Sequence, residues 1–368
     1  MKSNPETGKR QRRGHGRPTL HDVADAAGVT RITVSRFIRQ PTLVAEATAD
    51  RIREAIEHVG YVPNQQAGHL ASGESRLVAA LIPNVGHSIF AETIQGLTEG
   101  LRESAYELLL LSTGYSLERE ETQLLALTGW APGAIIVTGR QHTPVALGLL
   151  RDARASGIPV VQIWDHPSAP DASEGFAQIG FDHFATGEAM AQHLIDQGRS
   201  VLAYVDSGVA EDFRAHERGA GFLARARTLG VHATLVHAAL GDAFDAGRTV
   251  LQNLWDHAGH RADAAAFAND HLACGALLEA SRLGVDVPNG LALLGFGDFP
   301  LGRQLQPTLS TMRPPTADIG RMAAQAVLRS LMEGPEPESL EMGCKLIVRQ
   351  STGPIASQPA RLRPPGRA

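Results

Sequence analysis

The 368-residue chain has only two cysteines, Cys274 and Cys344, with no CxxC spacing and no histidine ligand set beside them. That excludes a disulfide framework and a cysteine-based metal site, and leaves two reduced, structural thiols. No run of 18 apolar residues occurs, so no membrane-spanning helix is expected. The basic N-terminal residues are not followed by an apolar segment, so no secretory signal is expected either, and the chain should work in the cytoplasm. No strand-like run leads into a nucleophile elbow, a P-loop, a metal-spaced histidine pair or a dinucleotide glycine fingerprint. The 15 histidines are scattered, and Gly219-Ala220-Gly221 lacks the strand-turn context of a phosphate loop. Catalysis, a metal and a cofactor are therefore not expected. What remains, with 43% hydrophobic residues and 38 glycines, is a globular chain long enough for two or three domains.

Charge is unevenly placed. Residues 1–73 hold 11 Lys and Arg against 7 Asp and Glu, a surplus of 4, whereas the whole chain stands at −5, so the remainder carries −9. A basic head on an acidic body is the pattern expected when only the head meets phosphate. Residues 1–17 are rich in Gly, Arg, Lys and Gln and cannot bury enough apolar surface to fold. They read as a disordered basic arm, either adding sequence-independent attraction to DNA or serving as a solvated tail.

Residues 19–38 carry the densest signal. Thr19 can cap a first helix with Asp22 at the capping-box position, and Leu20, Val23, Ala24 and Ala27 recur at helical spacing. Gly28 stops that helix, Val29 offers a buried turn residue, and Thr30 caps a second helix with Val34 and Phe37 or Ile38 inward. The outward side chains are then Arg31, Ile32, Thr33, Ser35, Arg36 and, at its end, Arg39. Guanidiniums suit guanine edges, an exposed Ile suits a thymine methyl, and short hydroxyls suit phosphate oxygens. Residues 45–59, with Ala49, Ile52, Ala55, Ile56 and Val59 at helical spacing, close a three-helix head.

The run Thr-Leu-x-Asp-Val-Ala-x-x-Ala-Gly-Val-Thr-x-x-Thr-Val-Ser-Arg, followed by Gly60-Tyr61-Val62-Pro63-Asn64, resembles the DNA-binding head of the lactose-repressor (LacI) family, and the resemblance extends over roughly residues 18–350. It implies a helix-turn-helix domain at 18–63 and a hinge at 64–73. It implies DNA contacts from Thr19, Leu20, Thr30, Arg31, Ile32, Thr33, Ser35, Arg36, Arg39, Thr48, Tyr61 and Asn64. Leu70 takes the place of the leucine that the family wedges into the minor groove, a step that bends the duplex. Gly68 departs from the usual Ala or Arg; a glycine costs about 0.8–1.0 kcal/mol relative to alanine inside a helix, so the hinge reads either as a poorly ordered helix or as a plain linker.

From residue 77 short apolar runs alternate with helical stretches: 77–82, 107–111, 134–137 and 160–163, then 201–205, 233–237, 264–268 and 292–295. This predicts parallel α/β sheets in two lobes. Runs at 310–312 and 341–348 read as late strands crossing back between the lobes, as in the periplasmic-binding-protein-like core of the resembled family. The core should span 74–352, and the Pro- and Arg-rich residues 353–368 read as a disordered tail.

In such folds a ligand lies between the lobes at the carboxyl ends of the strands. That points to His87, Phe90, Thr138, Arg140 and Asp165 on the first lobe, together with His142. It points to Phe181, Arg218, Asp242, Asn269 and Asp298 on the second. Arg218 matches the family's basic pocket residue and Asn269-Asp270 its Asn-Asp pair. Gly297 stands where many members place a sugar-binding carboxylate, and losing that carboxylate makes the cleft friendlier to an anion. With the His142-Thr143-Pro144 run and the recognition-helix sequence, this resembles the family's gluconate-operon repressors. The implied function is a transcriptional repressor of double-stranded operator DNA, acting as a homodimer or tetramer, without membrane association, and controlled by a sugar acid such as gluconate. A solute-binding protein using the same core, and a regulator answering to a neutral sugar or a purine, are the alternatives.

Overall fold

The computed structural model describes residues 18–62, 75–85, 89–166, 174–256 and 262–353. The chain forms two compact units, residues 1–75 and 76–368. In the first, α1 (Leu20–Ala27), α2 (Arg31–Arg39) and α3 (Glu46–Val59) bury Val23, Ala24, Val34, Phe37, Ala49 and Ile52 in one small core. Asp22 accepts the Thr19 N–H at 2.6 Å, and Thr30 Oγ1 accepts the Thr33 N–H at 3.2 Å, so the two caps fix where each helix begins. Gly28 takes the left-handed conformation that ends α1. From α3, Arg51 donates to the freed carbonyl of Ala27 at 2.5 Å, tying the third helix to the turn.

The second unit holds two six-stranded sheets. The first contains β1 (Leu77–Ile82), β2 (Glu107–Ser112), β3 (Ala134–Thr138), β4 (Val160–Ile163), β5 (Ala177–Gly180) and, much later, β11 (Leu340–Glu341), all paired in parallel. The second contains β6 (Val201–Asp206), β7 (His232–His237), β8 (Ala264–Phe267), β9 (Ala292–Phe296) and β10 (Ser310–Arg313), with β12 (Lys345–Ile347) added antiparallel to β10. The first sheet lies between α4 (Ala91–Leu101) with α11 (Thr316–Glu333) on one face and α5 (Leu117–Thr128) with α6 (Pro144–Ala155) on the other. The second lies between the pair α7 (His183–Asp196) and α8 (Phe213–Thr228) and the pair α9 (Ala243–Asp256) and α10 (Asp270–Leu283). Both faces are covered, which is why the strands read as continuous apolar runs rather than alternating ones.

Three helix pairs owe their close approach to glycine. A methyl at Gly187 of α7 would lie 1.9 Å from the Arg218 carbonyl, and one at Gly221 of α8 would lie 2.0 Å from that of Phe184. Gly96 and Gly320 play the same reciprocal parts between α4 and α11, as do Gly247 and Gly275 between α9 and α10.

Two strand assignments change. Ala177–Gly180 is a strand of the first sheet that its composition does not announce, so Phe181 and Asp182 follow a first-lobe strand instead of a second-lobe one. The run at 341–348 is not a single strand. It divides into β11 and β12, which belong to different sheets, and the chain crosses between lobes within it. The other crossings lie between β5 and α7 and between β10 and α11.

Candidate functional site

The head presents one polar surface from α2. Ile32 is 71% exposed there, beside exposed Arg31, Arg36 and Arg39 and half-buried Thr33 and Ser35. The Ser35 hydroxyl accepts from Arg39 at 3.1 Å, and the hydroxyls of Thr30 and Thr33 lie 2.9 Å apart. An isoleucine left in water beside three guanidiniums has no packing role within the head. Thr19 is exposed at the start of α1, Leu20 and Tyr61 pack against the small core, and Thr48 is half-buried on α3. Asn64 and Leu70, like the remainder of the hinge, lie outside the described residues, and so does His87.

Between the lobes of the second unit are two adjoining cavities that share Tyr115 and Arg214. One, of about 560 Å³ including its open side, is lined by Asn84, Phe90 and Trp164 from the first lobe and by His183, Asp212, Arg218, Asn269, His271 and Phe299 from the second. Arg218 is 4% exposed, its guanidinium stacked 3.8 Å from the centre of the Phe296 ring. Its Nη2 donates to the Ala268 carbonyl at 2.9 Å and its Nη1 lies 3.0 Å from His183 Nδ1, while its Nε has no hydrogen-bond partner among the described residues. A guanidinium can only donate, so His183 Nδ1 must accept, and the remaining ring proton sits on Nε2, which donates to the Trp164 carbonyl at 2.7 Å. His183 is thus a neutral imidazole. Burial, and then the nearby arginines, hold its pKa well below the usual histidine value, in keeping with that tautomer. Trp164 sits at φ 73°, a left-handed conformation disfavoured for a bulky side chain, which turns its carbonyl to His183 and its indole Nε1–H to Thr93 at 3.1 Å.

The other cavity, about 450 Å³, is lined by Thr138, Gly139, Arg140 and Asp165 from the first lobe, Glu120 of α5, and Glu211, Arg214 and Glu217 from the second. Arg140 Nη2 meets Glu217 Oε1 at 2.6 Å across the lobes, and its buried Nε has no hydrogen-bond partner among the described residues. Burial pushes the Asp165 carboxyl up, against the pull of Arg214 and Arg140. Arg214 lies above Gly139, whose missing Cβ would stand 2.5 Å from it, and within about 6 Å of the Phe90 and Tyr115 ring centres. It makes no ion pair or hydrogen bond among the described residues. It was not among the residues expected at the cleft, although it stands one turn before Arg218 on the same helix.

Four expected site residues line neither cavity. Asp242 is exposed and accepts the Phe244 and Asp245 N–H groups as the cap of α9. Asp298 is buried under Arg303 at 2.8 Å, Arg349 at 2.5 Å and Arg313, so its charge is spent inside the second lobe. Phe181 lies beneath the cleft, packed on Trp164, His183 and Phe296. His142, too, turns inward: its ring joins buried Glu120 at 2.6 Å to Gln162 at 3.1 Å. Thr138 reaches a cavity but donates its hydroxyl to the Leu81 carbonyl, and Asn269 caps α10 through the Leu272 N–H. Among the described residues no cluster of His, Cys, Asp and Glu could hold a metal ion, and no helix is long and apolar enough to cross a membrane.

A three-helix head whose second helix exposes three arginines, joined to a two-lobed α/β core with a polar cleft, defines a DNA-binding regulator with a small-molecule site. Residues 19–64 match the model of bacterial regulatory proteins of the lacI family, and residues 191–352 match that of a periplasmic binding protein-like domain. The chain is 38% identical to the HTH-type transcriptional regulator GntR of Pseudomonas aeruginosa, over 92% of its own length and 96% of that protein. It is 31% identical to GntR of Escherichia coli K12, over 90% and 97%. A transcriptional regulator of the family from Silicibacter pomeroyi superposes with a TM-score of 0.83 at 31% identity, covering 91% of this chain and 99% of that one. The chain belongs to the LacI family of DNA-binding transcriptional repressors.

Proposed function

We propose that the chain binds operator DNA as a homodimer in the cytoplasm and is controlled by a sugar acid, gluconate or a close aldonate, held between its lobes. The observation that carries the effector class is Arg218: a fully buried guanidinium with an unused N–H, on the wall of a cavity large enough for a six-carbon acid. Burying such a charge beside a second cation, Arg214, is costly unless an anion joins them. Gluconate in particular is suggested by the GntR relatives. The exposed face of α2 supplies the base and phosphate contacts, with Arg31, Ile32 and Arg36 reading base edges and Thr33 and Ser35 holding phosphates. Thr19, Leu20, Thr30, Arg39, Thr48 and Tyr61 support this contact, and Asn64 and Leu70 belong to the same proposal.

The effector can act only through a difference in its affinity for the cleft states that favour and disfavour operator binding, a coupling of typically 1–3 kcal/mol. Calorimetry and thermal shift with aldonates, neutral hexoses and purines test the reading. Aldonates should bind and raise the melting temperature. A neutral sugar or a purine binding more tightly than every aldonate would overturn the sugar-acid reading and leave the repressor reading standing.

A further inference from the structure

We propose that the cleft accepts its sugar acid in one orientation only, carboxylate towards Arg218 and hydroxyl tail towards Glu217, and that this polarity makes it select acids with a single carboxylate. The inference rests on the sugar-acid reading above and adds a direction to it.

The two cavities differ in sign. The one lined by Arg218 holds two guanidiniums, Arg214 and Arg218, against one carboxylate, Asp212, and the His183 beside Arg218 is neutral. The adjoining one holds four carboxylates, Glu120, Asp165, Glu211 and Glu217, against Arg140 and Arg214. Arg140 is already engaged by Glu217 at 2.6 Å, so the cation that the first lobe offers is matched by a carboxylate of the chain itself. Arg218, by contrast, meets a carbonyl, an imidazole and a ring face and forms no ion pair with a carboxylate among the described residues. A ligand carboxylate gains at the Arg218 end and meets like charge at the Glu217 end. Ligand hydroxyls suit the second end, because each carboxylate there accepts hydrogen bonds and has none of its own to give when ionised. A six-carbon acid spanning both cavities therefore fits one way round. A diacid of the same length forces its second carboxylate against Glu217 and its neighbours, which is discrimination by repulsion at one end of the site.

Three six-carbon probes isolate the two ends: glucitol with no carboxylate, gluconate with one and glucarate with two. Isothermal calorimetry on the full chain should show gluconate binding, and both glucitol and glucarate at least about tenfold weaker, the scale on which one unmatched or opposed charge acts. Glu217→Gln frees Arg140 and removes the nearest repelling carboxylate, so it should narrow the gluconate-to-glucarate ratio at least about threefold while gluconate still binds. Glu211→Gln, which is not part of the Arg140–Glu217 ion pair, should narrow it in the same direction and guards against a fault peculiar to position 217. Glucarate matching gluconate on the unaltered chain, or a ratio unmoved in both variants, would overturn the orientation and leave the sugar-acid reading intact. Glucitol matching gluconate would overturn both, since the carboxylate would then contribute nothing.

Discussion

Arg218 shows what a single position reveals in sequence and what it hides. The family-like run Arg218-Gly-Ala-Gly-Phe222 marks it as a pocket residue, but nothing in the run tells that His183 supplies its acceptor or that Phe296 supplies its floor. Those partners come from other elements, brought together by packing alone. Replacing Arg218 with Met should abolish the sugar-acid response while leaving operator affinity within about threefold, the result being a repressor that ignores its effector. Gel shifts with and without gluconate separate that outcome from general loss of structure. Asp298 and Asp242 mark the limit of reading residues by position after a strand: a carboxylate there can face a ligand, cap a helix or neutralise arginines, and only the fold decides. Burial alone would push the Asp298 carboxyl up, but hydrogen bonds from Arg349, Arg313 and Arg303 outweigh it and hold its pKa below the ordinary value of 3.8. A lowered folded pKa means that its stabilisation is present above the unfolded value and is lost as pH falls through the folded one. Asp298→Asn should therefore cost about 3 kcal/mol near pH 7, the low end for breaking a buried pair because two of the arginines reach solvent. Denaturant titrations should find the gap between variant and parent shrinking below about pH 4.

Among elements, the head was legible because local signals agree there. Capping residues, a left-handed Gly28 and apolar spacing all lie within twenty residues, and the helices begin and end where those signals place them. The core strands were legible as apolar runs for the same reason. β5 was not, since Ala-Gln-Ile-Gly carries a buried glutamine whose amide is satisfied by Gln162 at 2.9 Å, a long-range partner invisible to periodicity. β11 and β12 were merged because a two-residue strand leaves no period to read. The glycine pairs between helices make a prediction at this scale: Gly187→Ala would force α7 and α8 apart and should lower stability by about 1–3 kcal/mol. Chemical denaturation measures it, and a neutral substitution would show that the helices relax without cost. On α2, Arg36→Ala should weaken operator binding by about 1–3 kcal/mol and relax base preference if its contact is bidentate. Ser35→Ala should weaken binding without altering preference, although it also frees Arg39 from its hydrogen bond. Competition gel shifts against substituted operators distinguish the two.

In the whole molecule, a DNA-binding head is joined to a core whose two lobes are crossed by the chain three times and bridged by Arg140 and Glu217. A ligand that alters how those lobes close changes the operator affinity of a dimer only by its preference for one closure over the other. The most direct test is a titration of the full-length chain on its operator, followed by fluorescence anisotropy, with gluconate in one series and glucose in the other at constant salt. Gluconate should shift the operator dissociation constant by about 5–150-fold, and glucose should leave it in place. Equal shifts by both sugars, or operator binding indifferent to gluconate while calorimetry shows the cleft filled, would contradict this expectation.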